Sequence, residues 1–296
     1  MLIEKKVMNI KLNSQLYLKP EYDIHPIISG NKFRKLKYNI ENFNNGNYRG
    51  ILTFGGAFSN HIAATAAAGN ILGIPTVGVI RGLELARYDK INPTLKNAVK
   101  NGMKLEFISR KDYRDKNHDK FIESLLKKYP TYYIIPEGGT NNLAVKGCEE
   151  ILCENDLIFD VVCCSVGTGG TISGIINASN PNQKVLGFPV LKNPQIHKDI
   201  CKFAKQSNWK LFCDYHFGGY AKVDSDLIRF MNKFKMDFKI TLDPVYTSKM
   251  IYGVFDLIKK EVISRKDKVL IIHTGGIQGI EGMNDYLKNN NFDLIL

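Results

Sequence analysis

The sequence predicts an α/β fold with mostly parallel sheets, and three observations carry that prediction. Short apolar, β-branched runs recur along the 296 residues, each bounded by turn residues. Helical patterns lie between them, and this alternation is the signature of strand–helix–strand units. Several of the runs end in a glycine-rich or small-polar loop, which is where open α/β sheets bind ligands.

The elements follow in order. In "SGNKFRKLKYNI" and beyond, Phe33, Leu36, Ile40 and Phe43 keep helical spacing and predict a helix facing a core. Strands are expected at "ILTF" (Ile51 to Phe54), "PTVGVI" (Pro75 to Ile80), "KLEFIS" (Lys104 to Ser109) and "YYIIP" (Tyr132 to Pro136). They continue at "VVCCSV" (Val161 to Val166), "KVLGFPV" (Lys184 to Val190) and "VLIIH" (Val269 to His273). Helices are expected between them, as in "SNHIAATAAAGNILG" and "DKFIESLLKKY". Breaks fall at "NFNNGNY" and "TNNLAVKG". A smaller α/β domain over 47–147 is therefore expected as an insertion into a larger one made of 1–46 and 148–296, with the active site between them.

Composition excludes several classes. The hydrophobic share of 44% and charged share of 24% are those of a soluble globular protein. No apolar run approaches the ~20 residues of a membrane span, and no signal peptide is expected at the start. The six cysteines form no CxxC pair, and no metal ligand set is expected. Cys163, Cys164 and Cys213 sit among apolar or aromatic neighbours, which predicts buried reduced thiols and a cytoplasmic compartment. The net charge of +12 comes from lysines scattered along the chain. With no zinc-finger spacing, RNP-like aromatic motif or basic tail, no specific nucleic-acid partner is expected.

Four loops carry the chemistry: "FGGAFSNH", "PEGGTNN", "SVGTGGTISG" and "HTGGIQG". The third leaves a strand, offers consecutive backbone N–H groups and enters a helix, the geometry that holds a phosphate. It is no P-loop, since no GK[ST] follows, and no dinucleotide fingerprint, since Ile172 stands where a third glycine is required. A single phosphate fits, with the Thr168 and Thr171 hydroxyls beside it. Ser59 and Asn60 stand at the N-cap of an alanine-rich helix, where both simple capping and a grip on a carboxylate are open. His61 is either a plain helix residue or a participant; position does not choose.

Lys32 comes at the loop-to-helix junction, with Lys35 three residues on over the same face. A neighbouring cation and a helix N-terminus both lower a lysine pKa, and a depressed lysine is what Schiff-base chemistry requires. Phosphate loop and activatable lysine together suggest pyridoxal phosphate. Arg34 and Lys37 have no comparable case and read as ordinary surface charges.

With these residues in place, the chain resembles the fold-type II pyridoxal-phosphate enzymes, those with the tryptophan synthase β-like fold. Within them it is similar to the D-cysteine desulfhydrase and 1-aminocyclopropane-1-carboxylate (ACC) deaminase group, from about Leu18 to Gly282. The resemblance implies two three-layer αβα domains. "SGNKFRKL" resembles G-N-K-x-R-K-L, which makes Lys32 the cofactor-bound lysine and Lys35 a phosphate contact. "GGAFSNH" resembles G-G-x-x-S-N, assigning Ser59 and Asn60 to the substrate carboxylate and the pyridoxal 3-hydroxyl. "GTGGT" resembles the phosphate cup: Gly167, Thr168, Gly169, Gly170 and Thr171. "LDPVYTSKMIYG" resembles D-P-V-Y-x-G-K, which implies an active-site tyrosine at Tyr246, and "FGGYAKVD" implies a second at Tyr220. Thr247 stands where ACC deaminases carry a glutamate beside the pyridine nitrogen, and Thr274 where they carry a leucine; both match desulfhydrases. The chain departs from the pattern at Ser248, at Phe58, and at Ala63 or Ala64, where relatives carry an arginine.

The resemblance implies β-elimination of D-cysteine to pyruvate, hydrogen sulfide and ammonia. Lys32 or Tyr246 would remove the Cα proton, and both remain open. The competing readings are ACC deamination, disfavoured by Thr247 and Thr274, and β-elimination or racemisation of another small amino acid such as D-serine, which Phe58 could reflect. The expected partners are a small amino-acid substrate and, since relatives are commonly homodimers, a second copy of the chain.

Overall fold

The computed structural model describes residues 2–28, 30–87 and 92–296. Among them lie ten strands: β1 (Ile10–Lys11), β2 (Leu16–Lys19), β3 (Gly50–Gly55), β4 (Thr76–Arg81), β5 (Lys104–Ile108), β6 (Tyr132–Ile135), β7 (Val161–Val166), β8 (Lys184–Pro189), β9 (Trp209–Leu211) and β10 (Val269–Ile272). The α-helices are α1 (Asn31–Asn44), α2 (Asn60–Leu72), α3 (Pro93–Lys100), α4 (Asp119–Lys128), α5 (Asn142–Glu149), α6 (Gly170–Ala178), α7 (Ile196–Cys201), α8 (Ser225–Phe238), α9 (Thr247–Lys259) and α10 (Gly279–Asn289).

The strands form two sheets, ordered β1-β2-β10-β7-β8-β9 and β5-β4-β3-β6. Every pairing is parallel except β1 with β2. The expected α/β class is the one observed, and all seven expected strands are present to within a residue or two. The three that sequence patterning passed over, β1, β2 and β9, have two, four and three residues, too few to display a period.

Both sheets are covered on two faces, which explains why their central strands read as unbroken apolar runs. On β7, Val161 and Cys163 point into a core shared with α8, α9 and α10. Val162, Cys164 and Val166 point the other way, to Ile172, Ile175 and Ile176 of α6. In the smaller sheet Leu52 and Phe54 meet Leu125 and Tyr129 at α4, while Ile51 meets α1 and the alanines of α2. Each such side chain, removed from water, contributes about 1.5–3 kcal/mol.

Helix α1 turns Phe33, Leu36, Ile40 and Phe43 inward as expected. Its cations differ from expectation. Arg34 is 5% exposed and no surface charge: it pairs with Glu21, which is fully buried, at 3.0 Å, and also with Glu4 and Glu150. Lys37 is half-buried and pairs with Glu150 at 2.6 Å. Cys213 also departs from expectation. It opens a short 3-10 turn, Cys213–Tyr215, and is exposed, whereas Cys148, Cys163 and Cys164 are buried.

The smaller sheet draws all its strands from between Gly50 and Ile135, and the larger takes its strands from both flanks. The boundary expected after Gly147 falls inside α5, which packs on α1 and α6. We propose the domain division ahead of that helix, near Thr140. Among the described residues, no helix is long and apolar enough to cross a membrane.

Replacing Arg34 by alanine strands the buried Glu21 carboxylate, and we expect a loss of about 3–5 kcal/mol in urea denaturation. Pairing Arg34→Met with Glu21→Leu is expected to recover most of it; an Arg34→Ala loss under ~1 kcal/mol would mean the pair is solvated.

Candidate active site

Loops at the carboxyl ends of strands from both sheets line one cleft. It receives the turns after β3, β6, β7 and β10 as well as the last residue of β4, and all four glycine loops reach it. Lys32, Lys35, Ser59, Asn60, Gly167, Thr168, Gly169, Thr171, Tyr220, Tyr246 and Thr274 all border it. Two expected residues do not. Gly170 lies just behind, in the first turn of α6. Thr247 is fully buried, and its hydroxyl donates to Asp243 Oδ1 at 2.7 Å while accepting from the Asp243 N–H at 3.2 Å. Thr247 therefore opens α9 locked to Asp243 rather than facing the cleft, and the Asp243 carboxylate also accepts from the N–H groups of Val245, Tyr246 and Thr247.

Lys32 is delivered by an unusual helix start. Gly30 caps α1 with φ of 66°, and a Cβ there would stand 1.8 Å from the Thr274 carbonyl oxygen, to which the Asn31 N–H donates at 3.1 Å. Only glycine fits so close an approach at positive φ. The Lys32 ammonium is crowded by protein atoms and repelled by Lys35, which together bring its pKa down to about 7. Desolvation is the larger cause; sequence reasoning had named the neighbouring cation and the helix N-terminus. Lys35 is buried and its pKa also falls through burial; its ammonium donates to the Gly138 carbonyl at 2.8 Å and Thr140 Oγ1 at 3.0 Å.

The expected phosphate loop forms a cradle. Gly169 caps α6 at φ 87°, so the first N–H groups of the helix are left to the cleft. Thr140 Oγ1 lies 2.5 Å from Thr168 Oγ1, and Asn31 Nδ2 donates to Thr171 Oγ1 at 2.7 Å. A Cβ on Gly170 would meet Thr140 Oγ1 at 2.8 Å and Lys35 Nζ at 3.2 Å. Hydroxyls, free amides and a buried ammonium thus converge where an anion of two charges fits. These residues suit pyridoxal phosphate: Lys35, Thr168, Thr171 and the α6 amides for its phosphate, and Lys32 for its aldehyde.

Opposite lie the tyrosines, with ring centroids 6.2 Å apart. The Tyr220 hydroxyl donates to the Phe58 carbonyl at 3.2 Å, and its ring stands edge-on to that of Tyr246. Burial drives the Tyr246 pKa well above its ordinary value and that of Tyr220 up to about 12, so both phenols keep their protons. Lys249 positions the Tyr220 loop, donating to the carbonyls of His216 at 2.9 Å and Gly219 at 2.7 Å. The Phe58 ring packs against Gly282 in α10, not in the cleft. His61 is buried and neutral, its pKa far down through desolvation. Since Thr53 Oγ1 gives its proton to the Ile135 carbonyl, His61 Nε2 donates to Thr53, and Nδ1 is left without a partner.

Sequence reasoning passed over Asn31, Arg81, Glu137 and Ser165, which all line the cleft. Arg81 and Glu137 stand at the carboxyl ends of β4 and β6, so the strand-end rule could have found both.

An activatable lysine facing a phosphate cradle, where two parallel sheets end, defines a pyridoxal-phosphate enzyme. The family model for pyridoxal-phosphate dependent enzymes matches residues 2–275, and the chain belongs to that family. It is 30% identical over 275 residues to a Pyrococcus furiosus protein provisionally named a 1-aminocyclopropane-1-carboxylate deaminase, covering 85% of this chain and 82% of that one. To the bifunctional D-cysteine desulfhydrase/1-aminocyclopropane-1-carboxylate deaminase of Arabidopsis thaliana it is 29% identical, over 90% of this chain and 73% of that one. A crystal structure of an ACC deaminase homologue superposes with a TM-score of 0.84 at 25% identity, covering 98% and 95% of the two chains. The chain is thus a pyridoxal-phosphate dependent lyase of the ACC deaminase and D-cysteine desulfhydrase group.

Gly170→Ala is expected to weaken pyridoxal phosphate binding by about 10–100-fold, read by absorbance titration of the cofactor-free protein. Lys32→Ala is expected to abolish the borohydride-reducible cofactor linkage; its survival would move the linkage to another lysine.

Proposed function

We propose that this protein is a D-cysteine desulfhydrase. The observation that carries the reading is the polarity of the cleft wall. Among the described lining residues the only carboxylate is Glu137, and it is held by the Tyr113 hydroxyl at 2.7 Å and by Lys116 at 3.1 Å. Thr274 Oγ1 instead lies 3.4 Å from Ser165 Oγ. A wall of hydroxyls cannot hold a proton on a pyridine nitrogen as a carboxylate does. β-Elimination with a good leaving group needs less of an electron sink than ring opening.

The cofactor supplies the sink when bound; the chain's own residues do the rest. The α-carboxylate of the substrate docks on the free amides of α2, beside Ser59 and Asn60, where the helix dipole favours negative charge. Lys32 takes the Cα proton on Nζ, since its pKa of about 7 leaves much of the amine neutral at neutral pH. Tyr246 suits that task poorly, because its phenol stays protonated. Its hydroxyl instead donates a hydrogen bond to the departing sulfur, which leaves as the thiolate with the electron pair of the Cβ–S bond. The Tyr220 ring packs edge-on against that of Tyr246 and orients it.

A second reading, ACC deamination, draws support from the names of the relatives. An assay decides between them. The purified protein, given D-cysteine, L-cysteine, D-serine and ACC, is expected to form pyruvate and sulfide fastest from D-cysteine; faster release of 2-oxobutyrate from ACC would overturn the proposal. Tyr246→Phe is expected to lower kcat by about 10²–10⁴ with a smaller change in KM. Capture of pyridoxal phosphate by the cofactor-free protein should rise through pH about 7 and level off near pH 8, since only the neutral amine attacks the aldehyde. A capture rate still climbing above pH about 9 would mean an ordinary lysine.

A further inference from the structure

We propose that Arg81 binds a second acidic group of the substrate, so that the class accepted includes amino acids whose β-substituent carries a carboxylate or sulfonate. This rests on the reading above that the substrate is an amino acid docked by its α-carboxylate at α2.

Arg81 ends β4 at the cleft, is exposed, and stands beside the loop that receives that carboxylate: a Cβ on Gly56 would lie 3.9 Å from Arg81 Nη2. Its guanidinium lies over the face of the Tyr113 ring, 5.9 Å from the centroid. Among the described residues no carboxylate pairs with it, and the two acids nearest in sequence and in the cleft are engaged elsewhere. Glu84 pairs with Arg110 at 2.7 Å, and Glu137 is held by Tyr113 and Lys116.

The charges of the cleft sort accordingly. Lys35 lies at the α6 cradle and answers a phosphate, and Lys32 loses its charge readily. The α-carboxylate has the α2 amides. One permanent cation then remains without an anion, since a guanidinium keeps its charge at any working pH. The pairing of Gly55 with Ile80 sets Arg81 one strand spacing, about 5 Å, across from the Gly55–Gly56 turn. The two carboxyl carbons of aspartate stand about 3–4 Å apart, so an α-carboxylate at the Gly56 turn leaves the acid on its β-carbon within reach of the Arg81 guanidinium. A guanidinium also matches a carboxylate or sulfonate with two parallel hydrogen bonds, which a neutral amide cannot reproduce.

The test uses an isosteric pair and needs no turnover. The cofactor-loaded protein is titrated with aspartate and with asparagine, each as both enantiomers, following the visible absorbance. At least one enantiomer of aspartate is expected to bind about tenfold tighter than the matching asparagine, with the ratio shrinking as salt is raised. Arg81→Gln should erase the ratio by weakening aspartate, and Arg81→Lys should keep part of it. Equal binding of the pair to the unaltered protein, no binding of aspartate, or an Arg81→Gln loss that falls equally on both ligands would overturn the proposal; the last would place Arg81 on the α-carboxylate. Failure of the desulfhydrase reading shows separately, as absence of pyruvate from D-cysteine.

Discussion

Much of the site depends on one close approach, that of Gly30 to the Thr274 carbonyl. The first peptide of α1 rests directly on the loop leaving β10, with the Asn31 N–H bonded to that carbonyl. No side chain could occupy the gap. The contact sets the start of a helix whose apolar stripe lies on the smaller sheet onto the carboxyl edge of the larger one. Lys32 is thereby held between the two sheets, facing the turns of both.

That placement creates an electrostatic problem, since α1 brings Lys32, Arg34 and Lys35 into the positive end of its own dipole with no side-chain cap. Each is answered differently. Arg34 is neutralised within the fold by Glu21, Glu4 and Glu150, which also ties the N-terminal segment and α5 to the helix. Lys35 is satisfied by a carbonyl and a hydroxyl, which accept hydrogen bonds but carry no charge, so it keeps a charge for a ligand. Lys32 has only the Asn31 side-chain carbonyl at 3.2 Å, and its proton becomes easy to lose. Three neighbouring cations thus become a structural tether, a hydrogen-bonded ammonium at the cleft and an amine whose proton is easily lost. The differences come from what surrounds each one, not from the residue type.

Those surroundings mark where the sequence was legible. Strands of five or six residues buried on both faces announce themselves as apolar runs, and glycine loops at their ends announce the cleft. The placement of Lys32, Lys35 and the Gly167–Thr171 loop about one cleft was readable because its signals are local: a glycine before a helix, a lysine after it, free amides beyond a strand. Arg34 was not, because its three acids come from residues 4, 21 and 150 and only the tertiary fold gathers them. Thr247 misled because its hydroxyl found a nearer partner in Asp243 than any ligand could be. Arg81 was overlooked for a different reason. It ends a strand followed by the single glycine Gly82 and not by a glycine-rich loop, and its place at the cleft depends on the neighbouring strand's loop.

The two-sheet plan also explains why the halves of the site differ in how firmly they are built. The cofactor side is made by β7, β10 and the starts of α1 and α6, whose polar groups are bonded to one another across the seam: Asn31 to Thr171, Thr140 to Thr168, Lys35 to Gly138. Removing one of these disturbs its partners, so that side tolerates little change. The substrate side is made by the ends of β3 and β4 and the Tyr220 loop, where the Tyr220 hydroxyl bonds the Phe58 carbonyl and Lys249 ties the Tyr220 loop to α9. Residues there can be exchanged without dismantling the cradle. A cation such as Arg81 can be placed, moved or lost on that side while the chemistry of Lys32 stays intact, so one cofactor cradle can serve substrates that differ only in what their β-carbon carries.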